Sequence, residues 1–561
     1  PAADRAAGRG GDSAMNGADA MGLGLLVATL ATPLVLLLAC LWQRLHAGMP
    51  TLLALAPLPG LAAAIVAIGG TPLAFDQPQL RISLALDVPG AILLGVAALL
   101  WSAAGVYAFT DLRAKANSAR FVVCWLLTLT GSLGVFIAAD LLGFYLVFAL
   151  VSLPAYGLIV HDDDDAAAQR AGGIYMAFTV LGEAFLLMGF VALAAGEPNG
   201  SVQIRDVVAA LPQSPWRDAA LGFTVAGFAL KIGTVPAHGW MPLTYTAAPI
   251  PAASVLSGAA VKAGVIGLIR FLPFDTAMPG AGETLVTLGF FSAFYGVAVG
   301  ITQANPKTVL AYSSISQMGV IAAVLGMGVA AGDQGAALDT AFYAATHVLA
   351  KGALFLAVGV VALTSARRLR PTLLLAAVLA LGLGGLPLTG GALAKLAVKA
   401  PLGDGFVGLV ANLSAVGTSL LMLHFLQCLM RSAPPSEKPA APAGLALPWQ
   451  VMAVASVAVP WLLYPFAGGD LADALAPGAL FDALWPVLVG AALALVLRRW
   501  EHRLPQIPAG DIVGTAETAF RASYVVGGAF DRADSALRQW PAAGLSLLAI
   551  AVVLGAAALF G

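Results

Sequence analysis

The chain has 561 residues, 60% of them hydrophobic and 10% charged, with a mean hydropathy of +0.90. Those values exclude an ordinary soluble globular domain and leave a polytopic, all-α membrane protein. The formal net charge of -1 gives no basis for a nucleic-acid partner.

Residues Pro1 to Ala20, small and polar with Arg5 and Arg9, read as a disordered tail. The apolar run after them is long enough to span and reads as a retained anchor, not a cleaved signal. Crossing the hydrocarbon layer takes roughly 20 apolar residues per helix. By that rule spans fall near 22–43, 51–69, 88–109, 121–139, 141–160, 172–195, 219–245, 251–273, 283–303, 309–328, 335–364, 372–400, 404–431, 448–466, 476–499 and 541–560, about sixteen in all.

Basic residues set the expected topology. Arg44, Arg113, Lys115, Arg120, Lys307, Arg367, Arg368, Arg370, Arg431, Lys438, Arg498 and Arg499 fall on one side if the N-terminus is outside, and the positive-inside rule makes that side cytoplasmic. On the opposite side, alternation through Leu80, Ile82, Leu84 and Leu86 suggests a short hairpin within Phe75 to Asp87, with an extended loop as the alternative. The acidic run Asp162 to Asp165 reads as a solvated loop, and Ala433 to Pro448 as a Pro- and Ala-rich linker before the last three spans. From Asp511 to Trp540, Val513, Ala516, Phe520 and Tyr524 recur at helical spacing opposite a polar side. That pattern predicts a cytoplasmic surface helix ahead of the final span, either a brace across neighbours or a plain linker.

The expected divisions are thus a tail at 1–20, peripheral N-terminal helices with the hairpin at 21–120, two repeats at 121–273 and 283–431, a linker with C-terminal helices at 432–500, and the lateral helix with the final span at 501–561.

The informative residues are those that are costly in a bilayer. Lys231, Lys262, Lys395, Glu183, Asp140, His238 and His347 lie within or at the ends of apolar runs, where a charge or a freed backbone group has no water to satisfy it. Burial penalises the charged form of a lysine and a neighbouring acid restores it, which is the behaviour a proton relay uses. Pro236 interrupts the seventh run just after Lys231; Pro387, Gly390 and Gly391 interrupt the twelfth just before Lys395. Five runs separate the two breaks, and an odd shift inverts orientation, as in inverted repeats with a discontinuous helix in each half. His347 and Lys351, four apart, share a helical face that can carry protons toward Lys395. Lys399, one turn beyond Lys395, can extend that relay or snorkel to the outer face. Ser313, Ser316 and Gln317 can hold water or cross-link helices.

These residues resemble those of the antiporter-like, proton-conducting subunits of respiratory complex I, Mrp-type cation/proton antiporters and membrane-bound hydrogenases. The resemblance runs from about Phe121 to Met430 and rests on Ala229 to Lys231, Pro236 to Pro242, Ala248-Pro249, Ser254, Leu256 to Gly264, Ala311 to Gly319, His347 with Lys351 and Phe355, and Leu386 to Gly390 before Lys395. It implies fourteen core helices, two inverted five-helix units, and a central file of lysines, histidine and water. It also implies a glutamate partner for the first-half lysine, but Ala149 stands in that glutamate's place. Glu183, the one other deep carboxylate nearby, is then the expected substitute partner of Lys231. The Leu256 to Lys262 stretch resembles the hydrogenase, Mrp D and complex I M-type branches, whereas the surface helix with its final span resembles L-type and hydrogenlyase large subunits.

No phosphate loop, haem ligand set, cluster-cysteine pattern or nucleophile motif is present, and Cys40, Cys124 and Cys428 read as packed thiols, so neither cofactor nor metal is expected. The expected role is a proton-translocating subunit of a larger assembly in the cytoplasmic membrane, with other membrane subunits and peripheral redox subunits as partners. A subunit of a multisubunit Na+/H+ antiporter is the first alternative, and a membrane scaffold the second.

Overall fold

The computed structural model describes residues 17–40, 49–70, 73–77, 82–112, 118–161, 164–365, 369–434, 441–500, 503–514 and 517–518. Arg44, Leu80, Arg113, Lys115, Asp162, Asp163, Arg367, Arg368, Lys438, most of the tail and of the expected lateral helix, and the final run at 541–560 lie outside them. Contacts divide the chain into a large unit, Pro1–Ala509, and a second, Gly510–Gly561, of which only a short helical piece from Asp511 is described.

The large unit is helical apart from one hairpin. It opens with α1 (Gly17–Ala39), α2 (Met49–Leu55) and α3 (Leu58–Ile68), and then strands β1 (Leu73–Gln77) and β2 (Ile82–Leu86) pair antiparallel with Leu73 opposite Leu86. There follow α4 (Val88–Leu112), α5 (Ser118–Gly134), α6 (Leu141–Ser152), α7 (Ala155–Ile159), α8 (Ala166–Gly196), α9 (Ile204–Ala210), α10 (Arg217–Ile232), α11 (Trp240–Ala247), α12 (Ile250–Val255) and α13 (Lys262–Phe271). The second half holds α14 (Pro279–Gly300), α15 (Pro306–Ala331), α16 (Gly335–Leu363), α17 (Arg370–Gly384), α18 (Gly390–Ala397), α19 (Lys399–Leu402) and α20 (Phe406–Arg431). Last come α21 (Ala443–Leu463), α22 (Leu471–Ala474) and α23 (Pro477–Arg498). The expected linker from Ala433 is therefore shorter than its Pro content suggested, because α21 begins at Ala443 and carries Pro448 and Pro460 inside it.

Among the described residues, 11 helical segments are long and apolar enough to cross a membrane. Leu52–Ile68, Ala119–Gly134 and Arg370–Gly384 are shorter apolar helices. The runs at 219–245 and 372–400 are each interrupted, between α10 and α11 and between α17 and α18, where the sequence carries Pro236 and Pro387 with Gly390. Proline removes a backbone donor and glycine reaches backbone angles closed to other residues, so both splits follow from the local sequence.

The spans differ in how much protein surrounds them. Ile250–Phe271, Pro306–Ala331 and Gly335–Leu363 are the most enclosed, whereas Gly22–Ala39 and Pro477–Arg498 are largely uncovered. A helix walled by other helices can carry polar groups that a lipid-facing helix cannot. Lys262, Gln317, His347 and Lys351 all sit on the three enclosed spans. Close packing supports this arrangement. Gly289 on α14 and Gly319 on α15 meet backbone to backbone: a Cβ at Gly289 would lie 2.5 Å from the Gly319 carbonyl oxygen, and one at Gly319 would lie 2.4 Å from that of Gly289. Small residues permit such approaches where no hydrophobic drive separates helix from lipid.

The hairpin is anchored to one end of the bundle. Asp140, at the N-cap of α6, accepts from Gly143 N at 2.7 Å and from Ser83 N at 2.9 Å, and Gln203 Nε2 donates to Ser83 Oγ at 2.6 Å. Arg270 clamps the same region, donating to the carbonyls of Val135, Phe136 and Ala138 and pairing with Asp87 at 3.2 Å.

Candidate functional site

Lys231 occupies the last turn of α10, which ends at Gly233 in the left-handed conformation with φ 69°. Glycine reaches that region without the steric cost a Cβ brings. The chain then runs non-helically through a cis Val235-Pro236 bond and resumes as α11. Freed backbone groups in this gap find partners, as burial demands. Val235 N donates to Ser292 Oγ at 3.0 Å, and Trp240 Nε1 donates to Leu230 O at 2.9 Å. Lys307 Nζ caps the far end of α11, donating to Thr246 O and Ala248 O at 2.6 Å each.

The Lys231 ammonium donates to Ser152 Oγ at 2.7 Å and lies 5.5 Å from the centre of the Phe148 ring. Ser152 is the last residue of α6, three positions beyond Ala149 and so on the same helical face. Glu183 is buried on α8, but it forms no ion pair with Lys231, and its Oε1 has no hydrogen-bond partner. The group at hydrogen-bond distance from the amine is thus the Ser152 hydroxyl, with Glu183 beyond direct contact. A small void beside Lys231, about 10 Å³, is lined by Ser152, Tyr175, Thr179 and Trp240.

Lys262 begins α13 directly after a π-helical turn, Leu256–Ala260, in which Val261 N reaches back to Leu256 O at 3.2 Å. Its Nζ lies 3.0 Å from His347 Nδ1, and both residues are buried. His347 Nε2 is buried without a partner, and His347 borders a second small void with Gln317, Tyr343 and Gly391. Two residues past Lys262, a Cβ at Gly264 would lie 3.1 Å from Lys231 Cβ, so α13 packs directly on α10 at the first lysine. His238 is buried in the first break, its ring edge-on to Tyr295 with centroids 5.0 Å apart. Lys351, one turn along α16 from His347, donates to Leu310 O at 2.8 Å.

The second break repeats the device of the first. α17 ends at Gly384; Gly385 has φ 105° and Leu388 φ 63°, and the helix restarts at Gly390 after Pro387. Lys395 Nζ donates to the freed carbonyl of Gly384. Beyond it opens a cavity of about 320 Å³, whose wall includes Gln317, Tyr343, Lys395, Lys399, Thr418 and Asp482. Gln317 joins the two sides: its Nε2 donates to Thr418 Oγ1 at 3.0 Å, and its Oε1 accepts from Tyr343 OH at 2.7 Å. Gln317 and Tyr343 therefore stand between the void at His347 and the cavity at Lys395. Lys399 lies at the exposed edge, 3.0 Å from Asp482 Oδ2 and 3.8 Å from Asp404 Oδ1.

Residues 138–402 match the family model described as NADH:quinone oxidoreductase/Mrp antiporter, TM. That segment is similar to the antiporter-like membrane subunits this model describes. Among relatives, the NADH-quinone oxidoreductase subunit N of Desulforudis audaxviator strain MP104C is 31% identical over 294 residues, covering 50% of this chain and 56% of its own length. The chain thus spans little more than half of that relative. By structure, the fold is similar to a chain of the Mrp complex from Dietzia sp. DQ12-45-1b, with TM-score 0.75 at 20% identity over 96% of this chain and 63% of that one. It is also similar to a chain of the membrane-bound sulfane sulfur reductase, an archaeal respiratory membrane complex, with TM-score 0.68 at 19% identity over 83% of this chain and 99% of that one.

The antiporter-like segment contains every lysine and histidine of the expected relay, namely Lys231, His238, Lys262, His347, Lys351, Lys395 and Lys399, along with Glu183. The structure brings Lys262 and His347 into contact and sets Lys395 in the cavity reached past Gln317. Asp140 stands apart, capping α6 beside the hairpin. Ser313 makes only a 4.0 Å contact with Met422 Sδ, and the buried Ser316 Oγ has no partner. Sequence reasoning missed Ser152, Tyr343, Thr418 and Asp482. Ser152 and Tyr343 carried a usable signal, lying one turn from Ala149 and from His347 respectively. Thr418 and Asp482 lie beyond residue 402, outside the antiporter-like segment.

Proposed function

We propose that the chain is the proton-translocating, antiporter-like subunit of a larger ion-pumping membrane complex. The observation that carries this reading is the Lys262–His347 contact on two of the most enclosed spans. A scaffold gains nothing from burying two basic groups against each other, whereas a relay needs an imidazole that takes a proton at one nitrogen and gives it up at the other. Here Nδ1 meets the Lys262 amine, Nε2 is left without a partner, and the residue lines the void it shares with Tyr343 and Gln317. A proton moving from Lys262 Nζ to Nδ1 leaves the amine neutral and the ring cationic; loss of the Nε2 proton to water then restores a neutral ring. From there the side toward Lys395 has room for a water file. On the input side, Lys231 exchanges protons with Glu183 through water, with Ser152 holding the amine between transfers.

The architecture that goes with this reading is sixteen crossing segments with the N-terminus outside, a lateral helix before the last, and two inverted units at 121–273 and 283–431. Its supports are the two broken helices, each followed or preceded by a lysine, five runs apart. The partners are other membrane subunits and a peripheral redox module in the cytoplasmic membrane. The relatives named above come from a quinone oxidoreductase, an Mrp complex and a respiratory reductase complex.

Two measurements test the reading. Purification of the native assembly identifies its companions, and proteoliposomes holding that assembly report proton uptake under an imposed potassium diffusion potential. Wild-type uptake that falls to background in Lys262→Met and Lys395→Ala supports the function. Unchanged uptake in both overturns it, and uptake that requires a sodium gradient moves the reading to Na+/H+ exchange.

A further inference from the structure

The cavity at Lys395 is closed at its exposed end by a helix that has no place in the relay above. α23 contributes Asp482, Ala479, Ala483 and Pro486 to the cavity wall. Asp482 lies five residues into α23, whereas Arg498 ends it, so the acid sits at the opposite end of the helix from the basic cluster. It pairs with Lys399, one turn beyond Lys395, and both side chains keep about half their surface exposed, 50% for Lys399 and 57% for Asp482. Lys395 itself is tied inward to Gly384 O, and Ser414 and Thr418 of α20 belong to the same cavity wall as Asp482.

We propose that Asp482 is the outlet carboxylate that takes the proton leaving Lys395 and passes it to the aqueous face, with Lys399 as its positioning residue. The step balances simply. An N–H bond at Lys395 breaks, water in the cavity carries the proton, and an O–H bond forms at Asp482, leaving a neutral amine and a neutral carboxyl. Protonation removes the attraction to Lys399, whose ammonium then has Asp404, at 3.8 Å, as its nearest acid. Asp482 next releases its proton to bulk water and re-forms the pair with Lys399.

This inference rests on the proton-translocating reading, and the test separates the two. The complete native assembly, reconstituted with a trapped pH-sensitive dye, is driven by a potassium diffusion potential and compared with its Lys395→Ala form. A wild type no faster than Lys395→Ala sinks the reading itself. With the wild type conducting, Asp482→Asn is expected to slow uptake by about a hundredfold, the low end for loss of one proton-transfer group. Asp482→Glu is expected to recover most of the rate, and Lys399→Gln, which keeps the carboxylate, to lose clearly less than Asp482→Asn. Wild-type uptake in Asp482→Asn overturns the proposal. So does an equal loss in Asp482→Asn and Lys399→Gln with no recovery in Asp482→Glu, the outcome of a pair that only holds α19 to α23.

Discussion

Lys262 Nζ and His347 Nδ1 lie 3.0 Å apart, close enough for one hydrogen between them and too close for two full positive charges. At most one of the two is cationic at a time, since a charged imidazole presents donors at both nitrogens and leaves the ammonium nothing to bond. On the proposed reading the pair acts as a two-state switch. His347→Gln, which keeps a polar group of similar reach but cannot carry a proton, is expected to lower proton uptake by about a hundredfold, within the range for loss of a proton-transfer group. The check is uptake in reconstituted assemblies matched for subunit content; a loss under twofold contradicts the switch.

Ser152 takes the place at Lys231 that sequence reasoning gave to Glu183. Ser152→Ala is expected to cut uptake by a few-fold, the value of about 1.5–3 kcal/mol for a hydrogen bond to a charged group reduced by water entering the adjoining void. Glu183→Gln is expected to cut it further. Ala149→Glu, one turn from Ser152, is expected to restore uptake in the Glu183→Gln background by supplying a carboxylate on the α6 face that Lys231 already meets. Wild-type uptake in Glu183→Gln alone removes Glu183 from the relay.

Gly289 and Gly319 let α14 and α15 touch backbone to backbone. Gly319→Leu is expected to destabilise the subunit by about 3 kcal/mol or more, because the nearest atoms are backbone and cannot rotate aside. The check is the thermal unfolding midpoint in detergent. Gly280→Leu, where an added Cβ meets nothing within 4 Å, is the matched control and should leave the midpoint unchanged.

Lys307 holds the carbonyls at the end of α11 with two 2.6 Å bonds. Lys307→Met keeps the aliphatic stem and removes both donors, and is expected to cost about 1–3 kcal/mol per orphaned carbonyl. Uptake should fall along with the unfolding midpoint, since the half-helix that follows Lys231 loses its anchor. A lowered midpoint with full uptake shows the cap to be structural alone.

Much of this arrangement could be read before any coordinates. A lysine inside an apolar run is expensive enough to announce itself, which is why Lys231, Lys262, Lys351 and Lys395 stood out. Pro236 and Pro387 with Gly390 marked both breaks, though not where each half-helix would end. Hydroxyls gave a weaker signal, since a serine or threonine is cheap in a membrane helix; Thr418 was invisible for that reason, and Ser152 was marked only by its spacing from Ala149. Glu183 was singled out because it was the nearest deep acid in sequence, but reach depends on how α6, α8 and α10 are rotated about their axes, and periodicity does not fix that. The π-helical turn before Lys262 was equally unreadable, since Leu256-Ser257-Gly258-Ala259-Ala260 fits an ordinary helix. Asp482 sat near the start of an apolar run, where an acid looks like a boundary.

The wall that α23 supplies to the Lys395 cavity has a modular consequence. Residues 138–402 carry all the relay lysines, so a transplant of that stretch into another scaffold would bring the charges intact. It would leave behind the walls that α20 and α23 supply to the chamber. Such a graft would leak or dry out, and any chimera meant to conduct must import both helices as insulation.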